Sequence, residues 1–347
     1  MVVIMISSSV VVYFLIIIST YFSCQALSPQ PVSRRNALAA GFATPFILNL
    51  PSCQAVDVVA TAAVGDELIV PRGKSVLVLG ANGGTGKECV KAVLASGRQC
   101  IATSRSGVLD YEVESSLSDN LKVMNADVTS SESLQFAISS VSNLGAVIFA
   151  ASASTKGGNA YKVDKDGVVK SAQCCIDNNI NRFVLVSSGS VTVTRPDSAI
   201  YKLLNTVGKG IMEAKIQGED SMRDLYMNPQ VLNKRLGYTV IRPGGLTMDE
   251  AVPTSTILEL NQGDSKSGRL SRANVAALCV NCLDSPSAWD STFECYEKLT
   301  AKPINAVGFS NILKSKDPTI FRSGKERQGD TWNNIFLGLE RDFGHNV

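Results

Sequence analysis

Three glycines close an apolar run. In VLVLGANGGTGK (76–87), Gly80, Gly83 and Gly86 follow four apolar residues, and ECVKAVL (88–94) continues with Val90, Val93 and Leu94 at helical spacing. Strand, tight glycine turn and helix together make a phosphate site. Small residues let the backbone approach the anion, and the helix N-terminus offers unpaired N–H groups and a positive dipole end. The spacing is G-x-x-G-x-x-G rather than the simplest dinucleotide fingerprint, G-x-G-x-x-G. A P-loop is excluded, because Ala81 stands where its first glycine belongs and Glu88 where Ser or Thr would hold magnesium.

A second group of residues decides between a phosphate turn and an ordinary strand-to-helix connection. QCIAT (99–103) reads as a second strand, ending in Ser104-Arg105-Ser106. About 20 residues after the glycines, an NAD site places an acid for the ribose 2′-hydroxyl. No Asp or Glu stands at this strand end; Arg105 does, with hydroxyls beside it. A guanidinium suits a 2′-phosphate, so the residues point to NADP(H) over NAD(H).

Other chemistries are excluded by what is scarce. The single histidine, His345, leaves no histidine triad and no histidine metal site. The nine cysteines fall at irregular positions and form no disulfide framework. Cys279 and Cys282 have metal-like spacing, but they sit in an apolar helical stretch without a second pair, so they read as buried core thiols. No metal is expected. A net charge of +2 gives no footprint for nucleic acid.

These residues need elements to carry them. Strands are predicted over 76–79, 99–103, 121–124, 146–150, 182–188, 236–241 and 293–296. Helices are predicted after the glycine turn, over 131–141, 162–178 and 201–222, and from 271 behind a serine cap. Apolar runs without polar alternation suit strands covered on both faces. Strict alternation of strand and helix implies right-handed crossovers. The fold class is therefore α/β: a Rossmann-like, doubly wound parallel sheet with helices on both faces and smaller substrate-side elements towards the C-terminus. Residues 224–230 lengthen the connection before the sixth strand and are expected near the substrate side. In a C-terminal extension, 301–347, Trp332, Ile335, Phe336 and Leu339 share one helical face and are expected to dock on the domain.

The chain has 347 residues, and the first 55 read as targeting sequence. No charged residue occurs before Arg34 and no acid before Asp57. An apolar core at 10–18 followed by Cys24-Gln25-Ala26 has the form of a signal peptide, 1–26, and is short for a membrane anchor. Residues 27–55 are hydroxylated, basic and acid-free, like a transit peptide. Signal and transit segments in series resemble the bipartite presequence of algae with secondary plastids. Arg34-Arg35, an apolar stretch and Cys53-Gln54-Ala55 also look like a thylakoid-lumen signal. The expected location is the plastid, in the stroma or thylakoid-associated, with the lumen open. Residues 56–73 form a lead-in to a domain at 74–300, and no permanent membrane span is expected in the mature chain.

Several segments resemble one family. GANGGTG (80–86), Leu203-Leu204-Asn205 with EAKIQGED (213–220), YTVIRPGGLT (238–247) and SRANVA (271–276) appear in the order seen in atypical short-chain dehydrogenases/reductases of the NmrA-like group. The likeness is closest to plastid NAD(P)-binding proteins of plants and algae, kin to the NADP-binding part of a chloroplast import component and to biliverdin/flavin reductases. The resemblance implies roles. Gly80, Gly83 and Gly86 would hold the pyrophosphate, with Asn82 and Thr85 lining the turn, and Arg105 would take the 2′-phosphate. Asp127 and Val128 would contact adenine. Ala150, Ala151 and Ser152 would lie beside the nicotinamide ribose, and Pro243 and Gly244 would face the nicotinamide. Ser188 stands at the place of the catalytic serine, and Lys215 where the family lysine reaches the ribose.

One departure bears on activity. The parent superfamily uses Tyr-x-x-x-Lys to move a proton, but four residues before Lys215 stands Ile211. Tyr161 and Lys165 have the right spacing before the wrong strand, and read as a decoy. Should a relay run through Ser188, Tyr201 and Tyr226 are the tyrosines to test. Two functions follow. One is a reductase passing hydride from NADPH to an unidentified small acceptor, with the proton drawn from solvent. The other is a non-catalytic NADP(H)-binding redox sensor with a plastid protein as partner.

Overall fold

The apolar runs become strands buried on both faces. β1 (Ser75–Leu79), β2 (Cys100–Ser104), β3 (Leu121–Asn125), β4 (Leu144–Phe149), β5 (Arg182–Val186) and β6 (Gly237–Pro243) are parallel and lie in the order β3-β2-β1-β4-β5-β6. In chain order the remaining strands are β7 (Gly245–Thr247), β8 (Leu258–Asn261), β9 (Lys266–Ser267), β10 (Arg269–Ser271), β11 (Ser291–Glu297) and β12 (Lys302–Pro303). β11 extends the sheet parallel to β6, and β8 closes it antiparallel to β11. β7 pairs with β10, and β12 with β9, as small separate ladders. This computed structural model describes residues 68–153, 158–192, 202, 205–206, 208–247, 253–304 and 323–342. The presequence therefore lies outside the described residues, as do Tyr201 and His345.

Helices cover both faces. They are α1 (Gly84–Ala95), α2 (Ser131–Ser139), α3 (Val168–Asp177), α4 (Ile211–Tyr226), α5 (Pro229–Leu232), α6 (Arg272–Asn281) and α7 (Trp332–Ile335). β1 shows why two layers form. Val76 and Val78 face one core with Val90, Val93 and Leu278, while Leu77 and Leu79 face another with Leu134, Val168 and Phe183. Period-two alternation supplies both faces, and both are apolar because both are covered. Each fully buried aliphatic or Phe side chain contributes about 1.5–3 kcal/mol. Leu79 is in register with Thr103 on one side and Phe149 on the other, so the turns after β1, β2 and β4 start at one level.

Two predicted helices differ in detail. The helix expected over 201–222 is interrupted: residues 202, 205 and 206 are helical, Gly210 at φ +88 breaks the run, and α4 starts at Ile211. Asn205 then caps α4 from outside, its Oδ1 accepting the Met212 and Glu213 N–H groups at 3.1 and 3.2 Å. The helix expected over 162–178 opens as a π-turn, Tyr161–Gly167, before α3. The wider turn brings Asp164 inside against α4, where Gly218 has no side chain to obstruct its backbone. Residues 224–230 do not reach the substrate side. They end α4 and form α5 just before β6 begins, at the sheet edge opposite the carboxyl ends of the strands.

The flanks are fastened to the sheet. Within the lead-in Val70 is fully buried, and its N–H donates to Leu283 O at 2.8 Å. Buried Arg98 donates to Val70 O and Pro71 O, and pairs with Asp284 at 2.6 Å. Buried Arg182 donates to Thr239 Oγ1, Leu68 O and Ala288 O, with its guanidinium 4.4 Å from the Trp289 ring centroid. At the C-terminal side, Ile335 and Phe336 are fully buried, with Phe336 against Phe293, so the expected apolar face does dock. Cys279 and Cys282 are buried core thiols, as expected. No helix among the described residues is long and apolar enough to cross a membrane.

Candidate functional site

The sheet order reverses between β1 and β4, and ligands of open α/β sheets bind outside the strand carboxyl ends at such a point. The glycine turn lies there. Gly80 adopts φ +86, and a Cβ on it would lie 2.7 Å from Ala151 Cα. Gly83 N–H donates back to Gly80 O at 2.9 Å, and a Cβ on Gly86 would overlap that same oxygen. Gly80 and Gly86 admit only glycine, a Cβ on Gly83 would come within 3.2 Å of Gly80 O, and together they leave a backbone cradle where side chains would stand. Gly83 is the N-cap of α1 and supplies no side-chain cap, and the first turn of α1 has no acid. Thr85 is buried in that turn. The arrangement fits a diphosphate: donors and a positive dipole end, with nothing anionic in the way.

Asn82 does more than line the turn. Its Nδ2 donates to Val108 O at 3.0 Å and its Oδ1 accepts Asp110 N–H at 3.2 Å. It thereby ties the loop after β2, which begins with Arg105, to the glycine turn. Arg105 is exposed, and Ser104 and Ser106 lie side by side with their hydroxyls 3.2 Å apart. Asp127 follows β3. Its carboxyl is held below the ordinary range chiefly by the Thr129 N–H, against burial, with the Thr129 hydroxyl and the Arg105 charge adding to the effect. Asp127 thus spends one oxygen on a local turn, and Val128 packs beneath it in the core.

After β4, Ala150 N–H donates to Leu79 O, and Ala151 touches the glycine turn. Ser152 Oγ donates to Asp164 Oδ1 at 2.6 Å, and Ala153 N–H to Asp164 Oδ2 at 2.8 Å. Lys215 from α4 reaches the same carboxylate, Nζ to Oδ1 at 2.7 Å. Asp164 was missed in the sequence. Its signal was there: an acid on the stripe Asp164, Val168, Ser171 and Cys175, whose other members line the α3 core. Tyr161, on the same π-turn, lays its ring against Gly210 at the foot of α4, the helix that carries Lys215.

Ser188 does not join Lys215 through a hydrogen bond; its Oγ donates to Gly189 O at 3.1 Å. Its neighbours are pinned. Ser187 donates to Glu219, Gly189 N–H to Pro243 O, and Ser190 N–H to Asp264. Gly244 packs on Gly268, where a side chain would clash with the backbone. Beneath lies a buried ion network. Arg242 sits between Glu219 at 2.6 Å and Glu294 at 3.2 Å, and Arg223 joins Glu219 and Asp342. Burial pushes the Glu219 carboxyl up, but Arg242 and Arg223 more than offset this and hold it at about 2. Burial prevails at Glu294, which Arg242 opposes only in part, and its carboxyl rises to about 7. Tyr226 is a core residue, buried on α4 against Tyr238, and its burial raises its pKa far above a proton donor's range. It is not a candidate donor.

Every candidate residue but Lys215 lies at the carboxyl end of a parallel strand or in the first turn of α1 that follows β1, and Lys215 reaches that edge from α4. An uncharacterized chloroplastic protein of Arabidopsis thaliana is 30% identical over 220 residues, covering 60% of this chain and 72% of that protein. The chloroplastic high chlorophyll fluorescence phenotype 173 protein of the same plant is 34% identical over 95 residues, 27% of this chain and 14% of that protein. The fold is similar to that of an oxidoreductase from Lactococcus lactis, with a TM-score of 0.50 and 23% identity, covering 64% of this chain and 90% of that one. The pattern of NAD(P)H-binding proteins matches residues 80–286, more than half of the sequence and starting on the first glycine of the turn. The chain belongs to the NAD(P)H-binding family.

Proposed function

We propose that this chain is a plastid NADP(H)-binding oxidoreductase that reduces a small acceptor. One observation carries the reading: an acid-free glycine turn tied by Asn82 to a loop that presents Arg105, with no acid at the end of β2. The cofactor, when bound, supplies hydride from its nicotinamide. The residues do the rest. The first N–H groups of α1 hold the pyrophosphate, and Arg105 with Ser106 takes the 2′-phosphate. Asp127 and Val128 border the adenine, and Ala150, Ala151, Pro243 and Gly244 border the nicotinamide half. Lys215, fixed by Asp164 beside Ser152, orients the nicotinamide ribose. Ser188 stands at the reacting side with no tyrosine paired to it among the described residues, so acceptors that take their proton from solvent, such as a flavin, a quinone or a conjugated carbonyl, suit the site. Chloroplastic relatives and the two-part presequence support a plastid location, with residues 1–26 and 27–55 as successive targeting segments.

A second reading, a non-catalytic NADP(H) sensor, is favoured by one observation: Lys215 is already committed to Asp164, and Ile211 stands where a tyrosine would be activated. Calorimetry with NADPH and NADH tests cofactor choice, and NADPH oxidation across flavin, quinone and aldehyde acceptors tests catalysis. Turnover with any of these supports the reductase. Tight NADPH binding without turnover leaves the sensor, and tighter binding of NADH rejects the NADP(H) reading.

A further inference from the structure

The loop after β5, residues 187–192, carries Ser188 and is tied down from two sides. Ser187 Oγ donates to Glu219 on α4, and Gly189 N–H to Pro243 O at 2.8 Å. Asp264 holds the other side from the turn between β8 and β9. Its Oδ1 accepts the Ser190 N–H at 2.8 Å, and its Oδ2 accepts the Thr192 N–H at 3.2 Å and the Thr192 hydroxyl at 2.9 Å. Asp264 is fully buried, and no lysine or arginine pairs with it among the described residues; nearby Arg242 is committed to Glu219 and Glu294. A buried carboxylate is costly unless hydrogen bonds satisfy it, and all three donors to this one come from a single loop. The backbone is strained at both ends of the contact. Ser190 sits at φ +65 and Asp264 at φ +51, a region uncommon for residues with side chains. Such strain persists only where the surroundings over-determine it, and it gathers at functional sites. The Asp264 N–H donates to Glu294 Oε2 at 2.9 Å, and Arg242 bridges Glu294 Oε1 to Glu219, which closes a ring under the loop. The Ser188 hydroxyl takes no part in this ring. It bonds only Gly189 O, at 3.1 Å, among the described residues.

We propose that Asp264 is a positioning residue that fixes the loop after β5 so that the Ser188 hydroxyl is presented to the acceptor. The inference rests on reading Ser188 as standing at the reacting side. Asp264 itself is buried away from acceptor and cofactor, and acts through Ser190 and Thr192. A loose loop would spread the hydroxyl over several orientations, and a displacement of about 1 Å is enough to lose a productive contact. The strained turn and the ring beneath it hold a single orientation before the acceptor arrives.

The test uses the full chain with NADPH and whichever of a flavin, a quinone or an aldehyde it reduces. Asp264→Gly removes the carboxylate and leaves the left-handed backbone free of strain. It is expected to lower kcat by about 3- to 10-fold, the range for one neutral hydrogen bond, with KM for NADPH unchanged. Ser188→Ala should cost as much, and the double variant no more than either alone. Asp264→Asn, which keeps the size and one acceptor oxygen, should recover part of the loss. Hydrogen exchange supplies a second readout: the Ser190 and Thr192 amides should exchange faster in Asp264→Gly, while β6 and α3 keep the parent's protection. Losses that add in the double variant, unchanged exchange at 190 and 192, or faster exchange throughout the sheet each overturn the proposal. A parent that reduces none of the acceptors removes the reductase reading, and the hold of Asp264 on the loop is then decided by the exchange rates alone.

Discussion

In the proposed function, cofactor choice turns on one exposed guanidinium after β2. Arg105→Ala is expected to reduce NADPH affinity by about 1.5–3 kcal/mol and to leave NADH affinity nearly unchanged; calorimetry with both cofactors reads the difference, and equal losses would show that Arg105 does not touch the 2′-phosphate. Tyr226 makes a contrasting case. Its hydroxyl is buried with no hydrogen-bond partner among the described residues. Tyr226→Phe removes that unmet demand, so the unfolding midpoint should stay level or rise, by up to about 1 kcal/mol in stability. A clear loss would mean that the hydroxyl has a partner in the folded protein. The exposed position of Arg105 after β2 was legible in the sequence because a strand end without an acid is a local pattern. Asp164 was not, because its partners Ser152 and Lys215 lie on other elements and only the fold brings them to one carboxylate.

At the scale of elements, local periodicity placed the parallel strands and the helices between them, while helix starts escaped it. Gly210 and Asn205 set the start of α4 through a left-handed turn and a remote cap, neither of which changes the apolar spacing. The π-turn before α3 escaped for the same reason, since it serves a contact with α4. β11 carries a further consequence. Glu294 faces Arg242 and the Asp264 N–H, and its carboxyl sits near pH 7 against an ordinary 4.5. The folded state therefore binds this proton more tightly than the unfolded state does. Its contribution to stability is complete below about pH 4.5 and is lost as pH rises through about 7. Glu219 has the opposite sign: its contribution is present above about 4.5 and is lost as pH falls through about 2. Urea unfolding at several pH values between 5 and 8 should show a smaller decline in stability for Glu294→Gln than for the parent. An unchanged slope would assign the decline to other groups.

Over the whole molecule, the C-terminal segment completes the fold rather than extending it. Arg327 bridges to Leu260 on the edge strand β8, with bonds of 2.8 and 2.9 Å, and Gln262 pairs with the Glu340 backbone. A chain ending at residue 322 loses the burial of Ile335 and Phe336, about 1.5–3 kcal/mol each, and uncovers both Phe293 and the free edge of β8. It should be recovered mainly as aggregate on expression; a soluble product with the parent's unfolding midpoint would contradict the role given to 323–342.

Synthesis runs in one direction, and the buried arginines impose an order on it. Arg98 and Arg182 emerge well before the groups that neutralise or cover them; Asp284, Ser285 O, Ala288 O and the Trp289 ring follow about a hundred residues or more later. Burying a guanidinium before its partners exist is costly. Burial of these two guanidiniums with all their partners therefore waits for residues 284–289.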